Sequence, residues 1–413
     1  MILNRIISQI DEDRISRLGV CIIFVVLFMA TNICRAENLG KLVVEREVLM
    51  RESEVLGDPF AVAKTDDGGF VLAGSTGIKS AGATKIDGQG KPLWNYTTPA
   101  QYPVKFLPRP QYHAIAQLKD GSIYLCGFMN VGNEERHLPH GLLTHLDPNG
   151  KLLNEIIISP DGNRVSLAYI NDCISWNNGL IAVGSQNGFH WVLFLDNAGN
   201  VKWEKLIPIL PQSINSFASS EGRVLLSKSD HIVFSATDNV NTELISVGAN
   251  GDVLAQKKLS GRFLFVHPVN PDNLLQVYGT LVPTDTSLRI TLSLNDAFDV
   301  IQRVEGNAPT DFAARFVYRM PDQSLVLFGS SVHLYFGETY RSGVVHVDSS
   351  LHEEQSIDLT KSGFLDKGSI WAASPTNNFG EFITARKLAS TTKSESGNLD
   401  FLGVVMNLIK LDQ

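Results

Sequence analysis

His137, His140 and His145 give the spacing His-x2-His-x4-His. Imidazoles are common metal ligands, but a site needs them to converge on one point with partners behind them. His140 and His145 are an odd number of residues apart, so one continuous strand would send them to opposite faces. His145 also stands two residues before Asp147, a slot filled elsewhere by Lys85, His346 and Lys410. A position shared between His and Lys reads as a structural polar slot, so no metal is expected. The segments Asp87-Gly88-Gln89-Gly90, Asp147-Pro148-Asn149-Gly150 and Asp196-Asn197-Ala198-Gly199 lack the spaced acids and closing Glu of a calcium loop. They read as tight turns, with Asp capping the backbone and Gly supplying positive φ. Glu134 and Glu135 are adjacent in a polar segment. Acid–base work would need one of them buried and perturbed. The chain has no Gly-x-Ser-x-Gly, no His-Glu-x-x-His, no phosphate loop and no sialidase-type Ser-x-Asp-x-Gly-x-x-Trp box. Asn95-Tyr96-Thr97 matches a glycosylation sequon. No catalytic residue and no cofactor is expected from this inventory.

What must position any site is a chain of 413 residues with 35 Lys+Arg, 43 Asp+Glu and a net charge of −8. Its 44% hydrophobic content is that of a globular protein with a large core. There is no basic excess to neutralise phosphates, which argues against nucleic acid as a partner.

Residues 18–30 read LGVCIIFVVLFMA, preceded by Arg5, Arg14 and Arg17 and followed by Cys34-Arg35-Ala36. This is the order of a secretory signal, with cleavage expected after Ala36. The run falls short of the roughly 20 apolar residues of a spanning helix, so no integral membrane segment is expected after cleavage. The expected organisation is a signal peptide over 1–36 and a single domain over 37–413, in a secreted or periplasmic protein. Cys126 and Cys173 remain in that domain. An oxidising compartment permits a disulfide between them, and two buried thiols are the alternative.

Two signals recur along the domain. The first is a polar turn and an apolar run ending in Gly or Ser: DDGGFVLAGS (66–75), KDGSIYLCGF (119–128), NNGLIAVGS (177–185), SEGRVLLSKS (220–229), PDNLLQVYGT (271–280), PDQSLVLFGS (321–330) and, degraded, NNFGEFITAR (377–386). The second is strand, tight turn, strand, as in ATKIDGQGKPLWNY (83–96), LLTHLDPNGKLLNEI (142–156) and VLFLDNAGNVKWEKL (192–206). The signals alternate at the spacing of a four-stranded propeller blade. The expected fold is therefore all-β, a seven-bladed β-propeller with four-stranded blades. The segment 401–412 has no strand after it, and the start at Asn38-Leu39-Gly40-Lys41 resembles the second half of the second signal. An N-terminal strand is thus expected to close the last blade, which removes an open edge.

The runs Gly68 to Ser75, Lys85 to Trp94 and Asp196 to Trp203 resemble those of secreted and lipid-anchored bacterial β-propeller repeat proteins. They are similar in style to quinoprotein-like propellers, whose blades end in a Trp after an Asp-x-x-Gly turn. Only Trp94 and Trp203 fill that slot here. The resemblance implies a fold and no single activity.

Turns within the two signals are short, and the connections between them are long. Function tends to sit on long loops held by a rigid scaffold. The expected binding residues are Tyr102, Lys105, Phe106, Arg109 and Tyr112 in segment 97–112, His137 in 129–140, and His333, Tyr335, Phe336 and Arg341 in 331–341. Segment 387–398 is polar and small-residue-rich, and reads as a further loop. Aromatic and Arg side chains are the usual anchors of protein interfaces. The expected function is a non-enzymatic, monomeric binding protein or scaffold that docks a protein partner, a secreted toxin among them. The alternative is a propeller enzyme, a quinone-dependent oxidoreductase or a carbohydrate-active hydrolase or lyase, working at the channel mouth. A lectin would predict similar loops in several blades, and these loops differ.

Overall fold

The structure, a computed structural model, describes residues 41–51, 58–76, 80–99, 110–133, 136–158, 167–210, 223–226, 230–237, 240–268, 275–280, 288–307, 312–331, 341–359, 372–376, 381–393 and 399–412. The expected signal peptide lies outside them. Backbone contacts divide the chain into two units, Val43–Lys410 and a second made of Met1–Leu42 with Leu411–Gln413. Of the second unit only the strand ends at 41, 42, 411 and 412 are described. All other described residues belong to Val43–Lys410.

The described residues form strands and turns, without a helix. The first strand, β1 (Lys41–Arg51), belongs to the last sheet. The strands β2 (Asp58–Lys64), β3 (Phe70–Ser75), β4 (Ala81–Ile86) and β5 (Pro92–Thr97) form one antiparallel sheet. The next comprises β6 (Gln111–Gln117), β7 (Ile123–Asn133), β8 (Arg136–Leu146) and β9 (Leu152–Ile158). A third comprises β10 (Ala168–Trp176), β11 (Gly179–Gln186), β12 (Phe189–Asp196) and β13 (Val201–Pro208). A fourth comprises β14 (Arg223–Leu226), β15 (Ile232–Thr237), β16 (Asn241–Val247) and β17 (Val253–Ser260). Beyond it lie two further four-strand meanders. They are β18 (Arg262–Pro268), β19 (Leu275–Thr280), β20 (Arg289–Leu294) and β21 (Val300–Gly306), then β22 (Phe312–Arg319), β23 (Leu325–Ser331), β24 (Arg341–Val347) and β25 (Glu353–Asp358). The last sheet runs β1-β28-β27-β26, from β26 (Ala372–Pro375), β27 (Glu381–Lys393) and β28 (Leu399–Asp412). The N-terminal strand is thus its fourth strand.

The fold is a β-propeller with four-stranded blades, but the expected seven separate blades are corrected. Five sheets are separate and four-stranded, and the remaining eight strands form one sheet. The reason is local. Only Arg262–Phe265 of β18 pair with β19. Val266, His267 and Pro268 run past that partner and pair in parallel with Val317, Tyr318 and Arg319 of β22, which satisfies backbone groups otherwise left open.

Second and third strands are buried on both faces, as in β3, β4, β15 and β16. Their continuous apolar sequence follows from neighbouring sheets covering both sides. Fourth strands such as β5 and β13 alternate half-buried and exposed along most of their length. Apolar clusters fill the spaces between consecutive sheets. One joins the last sheet to the first through Ala372, Ile383, Ala385, Val404 and Met406 against Phe70, Leu72 and Ile86, so the series of sheets closes on itself.

The repeated signals have physical causes. The Gly that ends the first signal faces the backbone of the preceding strand. A Cβ on Gly127, Gly184, Gly279 or Gly329 would lie 1.8, 1.8, 1.9 or 2.0 Å from the carbonyl oxygen of Gln111, Tyr169, Arg262 or Ala313. In the second signal, Asp87 Oδ1 accepts from the backbone N–H of Gln89 and Lys91, and Asp147, Asp196 and Asp348 repeat the pattern. The Gly closing such turns has positive φ at Gly90, Gly150 and Gly199. Trp94 Nε1 donates to Pro148 O (3.1 Å) and Trp203 Nε1 to Ala249 O (2.9 Å), each in the next sheet's turn.

One repeat reading is corrected. The segment 220–229 is not a second strand. Arg223–Leu226 form β14, a first strand, and the second strand is β15, with Ala236 in the glycine slot. A four-residue apolar run followed by Ser looks alike in either strand, so periodicity cannot separate them. Two expected loops are also strand. Residues 129–140 lie mostly in β7 and β8, and 387–393 in β27.

Candidate functional site

The polar slot before the second-signal Asp is engaged. Lys85 Nζ lies 2.6 Å from Asp67 Oδ2. Ser122 Oγ donates to Asp120 Oδ1 (2.6 Å), so it accepts from His145 Nε2 at 2.9 Å. Ser324, Asp322 and His346 repeat this arrangement. His145 also stacks on Tyr124, with ring centroids 4.1 Å apart. His140 is buried opposite Met129, and burial lowers the pKa of both imidazoles. The side chain of His137 lies outside what the structure describes, and its backbone pairs with Gly132.

Tyr102, Lys105, Phe106, Arg109, His333, Tyr335 and Phe336 lie outside the described residues. Arg341 opens β24 opposite Ser331. Tyr112 is corrected: it lies in β6, fully buried, with its hydroxyl 2.6 Å from Thr144 Oγ1. It is a core residue because the strand begins earlier than the sequence suggests. Cys126 on β7 and Cys173 on β10 are joined by a disulfide, Cα to Cα 6.5 Å, which ties two consecutive sheets.

Sequence reasoning missed a second constellation. The first strands of the sheets surround a common centre. Asp172 Oδ2 on β10 accepts from Val224 N on β14 at 2.9 Å, while its Oδ1 accepts from Cys173 N at 2.9 Å. Arg223 on β14 reaches past the adjoining meander to β22, where its Cζ lies 4.7 Å from the ring centroid of Phe316. Asp172, Arg223 and Phe316 pair with Val183, Ser235 and Phe328, each the fourth residue of the apolar run in its second strand. They therefore occupy one level of the repeat.

Bulges in the first strands aim further side chains at this centre. The ladder skips a residue between Pro59 and Ala61 and between Tyr112 and Ala114. The skipped residues are Phe60 and His113, whose rings lie 5.4 Å apart, and the same skip recurs at Asn171 and Arg315. His113 also meets Phe128 at 5.3 Å, and Phe128 meets Tyr169 at 4.9 Å. Bulges commonly re-aim side chains in this way. His267 of β18 lies 5.8 Å from Tyr318 of β22.

Burial, and then the charge of Arg223, pushes His113 and His267 down to about 4. Burial raises the pKa of Asp172, against Arg223 and its two backbone donors. At neutral pH the centre thus holds the Arg223 guanidinium, two neutral imidazoles and a backbone-anchored acid, with aromatic rings between them and Arg315 at the β22 bulge. The missed signal was the one charged residue, Arg223, in an apolar first-strand run.

A buried His–Glu contact lies between the third and fourth sheets. His190 Nε2 is 3.2 Å from Glu243 Oε2, and both side chains are almost fully buried. Glu243 Oε1 accepts from Gln256 Nε2 and from Leu210 N.

No family model matches the chain, and no curated protein does. Among solved structures it is similar to the Dos1 propeller at 12% identity and a TM-score of 0.50, over 90% of this chain and 95% of that one. It is also similar to a candidate 6-phosphogluconolactonase from Bacteroides fragilis at 11% identity and a TM-score of 0.50, over 82% and 95% of the two chains. At such identity the likeness carries one conclusion: the chain has the β-propeller fold.

Proposed function

We propose that this protein is a non-enzymatic binding protein of an extracytoplasmic compartment. In this reading it docks a protein partner on the face that carries the second-to-third and fourth-to-first strand connections. The observation that carries the reading is a pair of long hairpins. The pairing of β7 with β8 runs out to Asn133 and Arg136, and that of β27 with β28 to Lys393 and Leu399. Their second strands are 11 and 13 residues long, against 6 to 8 in the other sheets. The two hairpins belong to the sheets on either side of the first sheet, whose outgoing connection holds Tyr102, Lys105, Phe106 and Arg109. Long hairpins on the sheets either side of one that leads into an aromatic and basic segment suit a protein surface. The Cys126–Cys173 bond supports an oxidising compartment, secreted or periplasmic.

The test is affinity capture from the source's envelope and secreted fractions, with mass-spectrometric identification. One variant joins Met129 to His140 through Asn-Gly, a turn suited to a two-residue hairpin. Another carries Ala at Tyr102, Lys105, Phe106 and Arg109. A stoichiometric partner lost by both supports the reading, and one retained by both removes it. A second reading, enzyme chemistry at the centre, draws on Asp172, Arg223, His113 and His267. Its test is turnover with added quinone or glycoside.

A further inference from the structure

Arg223 is seated on a ring. Its guanidinium lies over Phe316 at 4.7 Å. Neither Arg223 nor Asp172 is in an ion pair among the described residues. A guanidinium stacked on a ring keeps its in-plane N–H edge open, and that edge matches a carboxylate in a two-point hydrogen bond. Phe60, His113 and Tyr169 on first strands, with Phe128 of the second strand β7 between the last two, form a separate series of touching rings. Each of these side chains is only partly buried, as are Arg223 and Phe316, so the centre is reached by solvent.

We propose that Arg223, seated on Phe316, binds the carboxylate of a small aromatic monocarboxylic acid whose ring lies against the first-strand aromatics. Asp172 stands at the same level, its two oxygens engaged by Cys173 N and Val224 N. This site is independent of the docking face proposed above.

The test is titration calorimetry of the purified protein with benzoate, benzamide, acetate and inorganic phosphate. Benzoate is expected to bind once per chain. Benzamide, which lacks the charge, and acetate, which lacks the ring, should each bind at least about tenfold more weakly. Arg223→Gln should weaken benzoate by at least about tenfold. Arg223→Lys, which keeps the charge without the flat fork, should also weaken it. Absence of saturable benzoate binding at millimolar concentration overturns the proposal, as does binding unchanged in both variants. Tighter binding of phosphate than of benzoate also overturns it, and the comparison of these probes on the unaltered chain needs no variant to fold.

Discussion

Gly127 faces the backbone of Gln111 so closely that a Cβ would stand 1.8 Å from that carbonyl oxygen. The bulge between Tyr112 and Ala114 brings the first strand in at this point. The same approach recurs at Gly184, Gly279 and Gly329. Gly127→Ala should therefore destabilise the domain by about 3 kcal/mol or more, since backbone must move to admit the methyl group. Ala236, which fills this slot in the fourth sheet, should tolerate Gly with a much smaller change. Urea midpoints of the two variants test the difference.

The fold was legible because its turns are chemical. Asp87, Asp147 and Asp196 announce their hairpins by capping, and Gly127 and its counterparts announce a close approach that no other residue allows. The strand at 41–51 could be placed because it completes a half-written repeat. Other features depend on distance between strands far apart in sequence. The parallel pairing of Val266 with Val317 leaves no mark in either segment, so the fusion of two meanders was invisible. Tyr112 reads as a loop anchor because it ends the connection 97–112, yet Gln111 to His113 lie on a bulged first strand. The central cluster was hidden for a related reason. Asp172, Arg223 and Phe316 come from separate first strands, and the segment holding Arg223 resembles a second strand.

The central imidazoles should make stability depend on pH. Both His113 and His267 sit near 4 in the folded chain, against 6.5 for an ordinary imidazole. The unfolded chain therefore binds more protons between these values. Their contribution is complete above about pH 6.5 and is lost as pH falls toward 4, by about 2–3 kcal/mol each at most. His113→Phe should flatten the fall in urea midpoint between pH 7 and 5. An unchanged slope would show that burial of His113 is not its source.

The Cys126–Cys173 bond spans 47 residues and joins two sheets. A link closing a loop of that size restricts the unfolded chain, and its removal costs about 2–4 kcal/mol. The double Ser variant should lose that much in urea unfolding while keeping its far-ultraviolet circular dichroism. Adding a reductant to the unaltered protein during unfolding should lower its midpoint to the same value.

Glu243 should be the most sensitive polar residue of the inner sheets. Its carboxylate is fully buried and faces His190 Nε2 at 3.2 Å, with Gln256 and the backbone N–H of Leu210 on its other oxygen. Removing one member of a buried pair leaves the other without its partner, at a cost of about 3–5 kcal/mol. Glu243→Leu and His190→Phe should each be severely destabilised. The double variant Glu243→Leu with His190→Phe should be less destabilised than the sum of the single changes, because neither polar group is then stranded. Urea unfolding of the four proteins forms the cycle. Additive losses would mean that the two side chains contribute through their separate neighbours and not through each other.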